Sequence, residues 1–178
     1  MENKTKTRTG QILTVMHILA WVAYIGFMIE AGAILVSFGV SCVNPESAKD
    51  LYEGLNLYDL RHFNFWYYTQ HVCFMVLFPI LKSYVLYLLI NIVSKINLAN
   101  PFIMEVANKL EKISFVLFGT WLVALFNSVH SGWLLKITGE QYGNEVSGEF
   151  IFMAGLVFII SQIFKRGVEI QSENELTV

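Results

Sequence analysis

Charge is what this sequence has little of. Only 15% of its 178 residues are Asp, Glu, Lys or Arg, where a soluble domain usually carries about a quarter. Hydrophobic residues make up 55%, and the few charges cluster between long apolar runs. With a mean hydropathy of +0.53, that distribution argues against a soluble globular protein. The net charge of −2 excludes a strongly basic nucleic-acid binder, so no direct nucleic-acid binding is expected. Cysteine is scarce as well. Cys42 and Cys73 stand alone, with no Cys-x-x-Cys, so neither a zinc site nor a disulfide framework is suggested. The chain has no internal repeat, no low-complexity tract and no interdomain linker.

What is present is length in apolar runs. A membrane span needs about 20 apolar residues to cross about 30 Å of hydrocarbon, and the chain has room for four such runs and short connections. The expectation is an all-α, integral membrane four-helix bundle in a single domain. Its spans are expected at about 12–40, 65–93, 113–135 and 147–164, followed by a tail over 165–178. The basic start before Ile12 could introduce a signal peptide, but the apolar run is too long for one, so it reads as a retained span.

Between the first two spans, Asn44-Pro45 reads as a helix cap followed by proline at the first helical position. Ala48, Leu51, Tyr52 and Leu55 then fall at helical spacing opposite Glu46, Lys49, Asp50 and Glu53. That pattern fits a short amphipathic helix lying on the membrane surface or an ordinary loop. The second span opens on the aromatic cluster Phe63, Phe65, Trp66, Tyr67 and Tyr68, which suits a membrane interface, and Pro79 should kink it. Asn100-Pro101 repeats the cap signal before Ile103, Val106, Ala107, Leu110 and Ile113, so the third helix should start in water. Gly139, Gly143 and Gly148 mark a turn before the last span.

Basic residues set the orientation. One side would hold Lys4, Lys6, Arg8, Lys95, Lys109, Lys112, Lys165 and Arg166, and the other Lys49, Arg61 and Lys136. Both termini and the 94–112 connector should therefore be cytoplasmic.

The intramembrane polar residues Glu30, Lys82 and Asn127 are the candidates for function, because a charge in hydrocarbon is costly. By a rise of about 1.5 Å per residue, Glu30 sits about 15 Å from the outer end of its helix and Lys82 about 20–25 Å from the outer end of its own. Two readings stand open: a direct pair, or Lys82 snorkelling toward the cytoplasm while Glu30 faces other polar groups. His71 and His130 lie at similar depth, and with Cys73, Asn127 and Glu30 they would line one outward-facing polar pocket. A metal on His71, His130 and Glu30 is chemically reasonable, as is a haem between two histidines. Interhelical hydrogen bonding is the plainer role, and no cofactor is assigned. Ser128 and Ser131 flank His130 without an oxyanion motif, and Cys42 and Cys73 lack the close spacing of reactive thiol pairs. No catalytic residue is identified, and an enzyme is disfavoured. Gly26, Gly32 and Gly39, with Ala33, read as helix-packing positions.

The chain end, Gly155-Leu156 followed by Gln162-Ile163-Phe164-Lys165-Arg166-Gly167-Val168 and Gln171-Ser172-Glu173-Asn174-Glu175-Leu176-Thr177-Val178, resembles the C-terminal signature of a bacterial four-span membrane family, the domain-of-unknown-function family numbered 2975. Asn100-Pro101-Phe102 and Ala107-Asn108-Lys109-Leu110 resemble the segment before that family's third span. Glu175 stands where the family usually has Asp. The resemblance implies a multi-pass protein of the bacterial inner membrane with no established activity. It also implies, as a partner besides the lipid bilayer, a small helix-turn-helix regulator of the Cro/C1 type. The leading expectation is thus a non-enzymatic regulatory or sensory protein. Its 94–112 segment and its tail, with Glu173, Asn174, Glu175, Leu176, Thr177 and Val178, would engage that regulator. The alternative is a small transporter or an ion-, metal- or haem-binding bundle using Glu30, Lys82, His71 and His130.

Overall fold

In hydrocarbon no water is available to satisfy backbone N–H and C=O groups, so an apolar run long enough to cross must bond to itself. The computed structural model, which describes residues 8–96, 102–142 and 148–176, is all-α, with no strand among those residues. Helix α1 spans Arg8–Val43, α3 Phe65–Lys95, α4 Met104–Thr138 and α5 Glu149–Leu176. All four are long and apolar enough to cross a membrane, and the chain is a multi-pass membrane protein. Each helix outlasts its expected span at one end or both. The largest difference is in α5, which continues past residue 164 through the charged stretch to Leu176. α3 remains one helix across the buried Pro79. The Asn100-Pro101 cap lies outside the described residues; α4 is first seen where the Val106 and Ala107 amides bond to the Ile103 carbonyl.

The segment between α1 and α3 carries the most local detail. Asn44 does cap a helix: its side chain accepts from the Glu46 amide, and Pro45 follows at the first position. The helix it starts is a short 3-10 turn over Pro45–Asp50, and a separate α2 follows at Tyr58–Phe63. Between them the chain reverses at Glu53 and Gly54, both with positive φ, where the Asp50 carboxylate accepts from the Gly54 amide at 2.9 Å. The Asn64 side chain then caps α3 by accepting from the amides of Trp66 and Tyr67.

The chain forms two compact units, built from segments within Met1–Ile25, Tyr84–Phe118 and Glu149–Val178, and within Gly26–Ser83 and Gly119–Gly148. The core of the first joins Leu88 and Ile92 of α3 to Val106 and Ile113 of α4, with Val157 and Phe164 of α5 packed against them. The core of the second joins Ala48, Leu51, Leu57 and Leu60 to Ile34, Tyr68, Val72, Val76, Leu134 and Tyr142. The apolar face of the 41–62 segment is therefore spent on the protein itself rather than laid on a membrane surface: Ala48 and Leu57 are fully buried. Against water, each buried leucine contributes about 1.5–3 kcal/mol.

Candidate functional site

Buried hydroxyls in these helices are mostly satisfied by their own backbone. Ser41, Ser83, Ser114 and Ser161 each donate to the carbonyl three residues back, the usual way a helix absorbs a serine. Ser41 also shares a 2.6 Å hydrogen bond with the buried Tyr68 hydroxyl. Against that background a few buried polar atoms of the second unit stand out as unpartnered: His71 Nδ1, Asn127 Oδ1, His130 Nε2 and Ser131 Oγ, together with Arg61 Nε. An unpaired buried polar group costs about 1–3 kcal/mol, which sets these atoms apart from the satisfied serines.

His71 is 3% exposed, and its ring stacks near-parallel on His130 with centroids 6.4 Å apart. The Tyr142 ring stands 6.0 Å from His71, and the His130 ring lies 6.1 Å from that of Trp133. Asn127 and Ser131 are one helical turn apart on α4, hence on one face. The two histidines expected at matching depth are thus brought together. Asn127, also expected there, has a buried Oδ1 without a partner as well. Cys73 is exposed, on a groove that His130 also lines. Glu30 is half-buried and acts on the Tyr52 phenol, whose pKa is raised by burial first and then by the carboxylates of Glu53 and Glu30. Among the described residues no three of His, Cys, Asp or Glu are placed to hold a metal ion, so Glu30 does not complete a metal site with His71 and His130.

Glu30 and Lys82 likewise form no ion pair among the described residues. The Lys82 ammonium instead lies 5.3 Å from the centroid of the Phe27 ring, a cation–π contact that compensates part of its desolvation.

In the first unit the charged residues pair with one another. Glu105 accepts from Lys95 at 2.6 Å and Lys109 at 2.9 Å. Glu111 of α4 accepts from Lys165 of α5 at 2.7 Å and from Gln162 at 3.3 Å. Arg166 bonds Glu169 at 2.7 Å along α5, and Lys112 lies over the Tyr84 ring. The Phe102 ring sits 5.3 Å from Phe164 and covers Gly167 so closely that a Cβ there would lie 2.6 Å from the ring. Phe102, just before α4, and the start of the tail are therefore packed together. Beyond it Glu173 and Asn174 are exposed on α5, and Thr177 and Val178 lie outside the described residues.

Phe102, Phe164 and Gly167 belong to the two stretches with family character, and their contact gives those stretches a common physical reason. Residues 59–178 match the family described as "Protein of unknown function (DUF2975)". The chain belongs to this family. The match starts within α2 and takes in α3, α4 and α5, so it contains the whole Phe102–Gly167 contact and both histidines. No curated protein and no solved structure matches the chain.

Sequence reasoning did not find the Phe102–Gly167 contact, the Glu111–Lys165 pair or the place of Tyr142. One signal was present: a lone glycine inside a helical, charged stretch costs stability and usually has a packing reason.

Proposed function

We propose that this DUF2975 protein is a non-enzymatic regulatory protein of the bacterial inner membrane, with both termini and the 94–112 connector in the cytoplasm. The observation that carries this reading is the joined surface of connector and tail, where Phe102 packs on Gly167 and Phe164 while Glu111 holds Lys165. A rigid platform of that kind presents the rest of α5 as a helix instead of a loose terminus. Its exposed Glu173, in a helix that also carries Glu169 and Glu175, faces the solvent with an acidic, partly aliphatic character.

Such a helix suits docking on a basic surface, and a small helix-turn-helix regulator of the Cro/C1 type has one where it binds DNA. The tail would then hold the regulator at the membrane and compete with DNA for it. In the test, the full-length protein and a variant lacking Glu173–Val178 are each co-expressed with the regulator and recovered from membranes. The truncated protein should remain inserted and folded but lose the regulator, and capture by the full-length chain should weaken as salt rises. Equal capture by both forms overturns the reading.

A further inference from the structure

A groove of about 730 Å³ runs between α3 and α4 in the second unit, within the range of about 300–1,000 Å³ typical of small-molecule sites. Its α3 wall is a single helical stripe, Trp66, Thr69, Gln70, Cys73 and Phe74, and four aromatic rings line it: Trp66, Phe74, Phe126 and Trp133. Trp66, Phe126 and Val129 are 65%, 66% and 73% exposed. On a membrane-spanning helix this exposure opens the groove to lipid, so its occupant arrives through the bilayer.

Three features narrow the occupant. No Lys, Arg, Asp or Glu lines the groove, so a phosphate headgroup finds no counter-charge there and a phospholipid gains nothing over bulk bilayer. The aromatic walls suit a flat ring, which packs offset or edge-on against Trp and Phe. The polar lining is a short donor set. Thr69 already donates to the Phe65 carbonyl at 2.9 Å and the His130 Nε2 is buried away from the groove, which leaves the Gln70 amide as the donor on the lining.

We propose that this groove binds an isoprenoid quinone, with the quinone ring between the aromatic walls, a ring carbonyl accepting from the Gln70 amide, and the tail left in the bilayer. The inference concerns binding alone and is independent of any partner at the tail. A regulatory protein with such a site would read the quinone pool.

Trp66 and Trp133 supply the measurement, because a bound quinone quenches tryptophan fluorescence by contact. The full-length protein in phosphatidylcholine nanodiscs is titrated with decylubiquinone, beside Val129→Phe, which fills the groove from its exposed rim, and Gln70→Leu. The wild type should show saturable quenching that decanol does not displace. Both variants should bind about tenfold more weakly or worse, the loss expected for a filled site or a missing hydrogen bond. Because Val129 faces outward, its variant tests the site even where Gln70→Leu fails to fold. Quenching that rises linearly without saturating, or that saturates equally in Val129→Phe, overturns the proposal.

Discussion

Gly167 shows how one missing atom can organise a surface. In an exposed helix interior, glycine is worse than alanine by about 0.8–1.0 kcal/mol, so Gly167→Ala alone would be expected to stabilise α5. The Phe102 ring reverses that sign, since the new Cβ would meet it at 2.6 Å and overpacking typically costs about 1–3 kcal/mol. Gly167→Ala should therefore lower stability in the native chain and raise it in a Phe102→Ala background. Reversible unfolding in detergent, run as a double-mutant cycle, measures both signs; the same sign in both backgrounds removes the contact as the reason for the glycine. Glu30 and Lys82 call for the opposite pattern. With Lys82 over Phe27 and no ion pair to Glu30, the effects of Glu30→Gln and Lys82→Met should add within about 0.5 kcal/mol. A larger coupling would restore the direct pair. The two charges were legible in the sequence as unusual residues. Their partners were not, because depth along a helix says nothing of the rotation that decides what a side chain faces.

At the scale of the element, the 44–63 segment and α5 were read with different success. The Asn44-Pro45 cap is chemistry between near neighbours, and it appears as expected. Asn44→Ala should cost about 1 kcal/mol, seen as a lower unfolding midpoint with membrane insertion unchanged. Ala48 and Leu51 were correctly placed on an apolar face, but periodicity cannot say whether that face meets lipid or protein. Leu57, Leu60, Leu134 and Tyr142 supply the protein side, and they come from three places in the chain. In α5 the apolar count ends near Phe164, so the span could be bounded but the continued helix could not. Its continuation is held by contacts from α4 and the connector. The Glu111–Lys165 pair has side chains only 26% and 28% exposed, so it is neither fully solvated nor fully desolvated. A cycle of Glu111→Gln and Lys165→Met should show a coupling of up to about 1 kcal/mol, reduced by salt; no coupling would mean that Phe102 and Phe164 hold the surface alone.

For the molecule as a whole, the question is which segments share a side of the membrane, and the count of basic residues, eight against three, bears on it. Four of the eight, Lys95, Lys109, Lys165 and Arg166, are bound to three glutamates, Glu105, Glu111 and Glu169, which lowers the net charge of their side. That does not weaken the argument, because orientation follows lysine and arginine and not net charge. Reporter fusions after Lys95 and after Val178 should therefore both report cytoplasm, and one near Glu53 should report the outside. A C-terminal fusion active outside would separate the tail from any cytoplasmic regulator while leaving the groove between α3 and α4 untouched, since a quinone reaches that groove through the bilayer whichever way the chain is inserted.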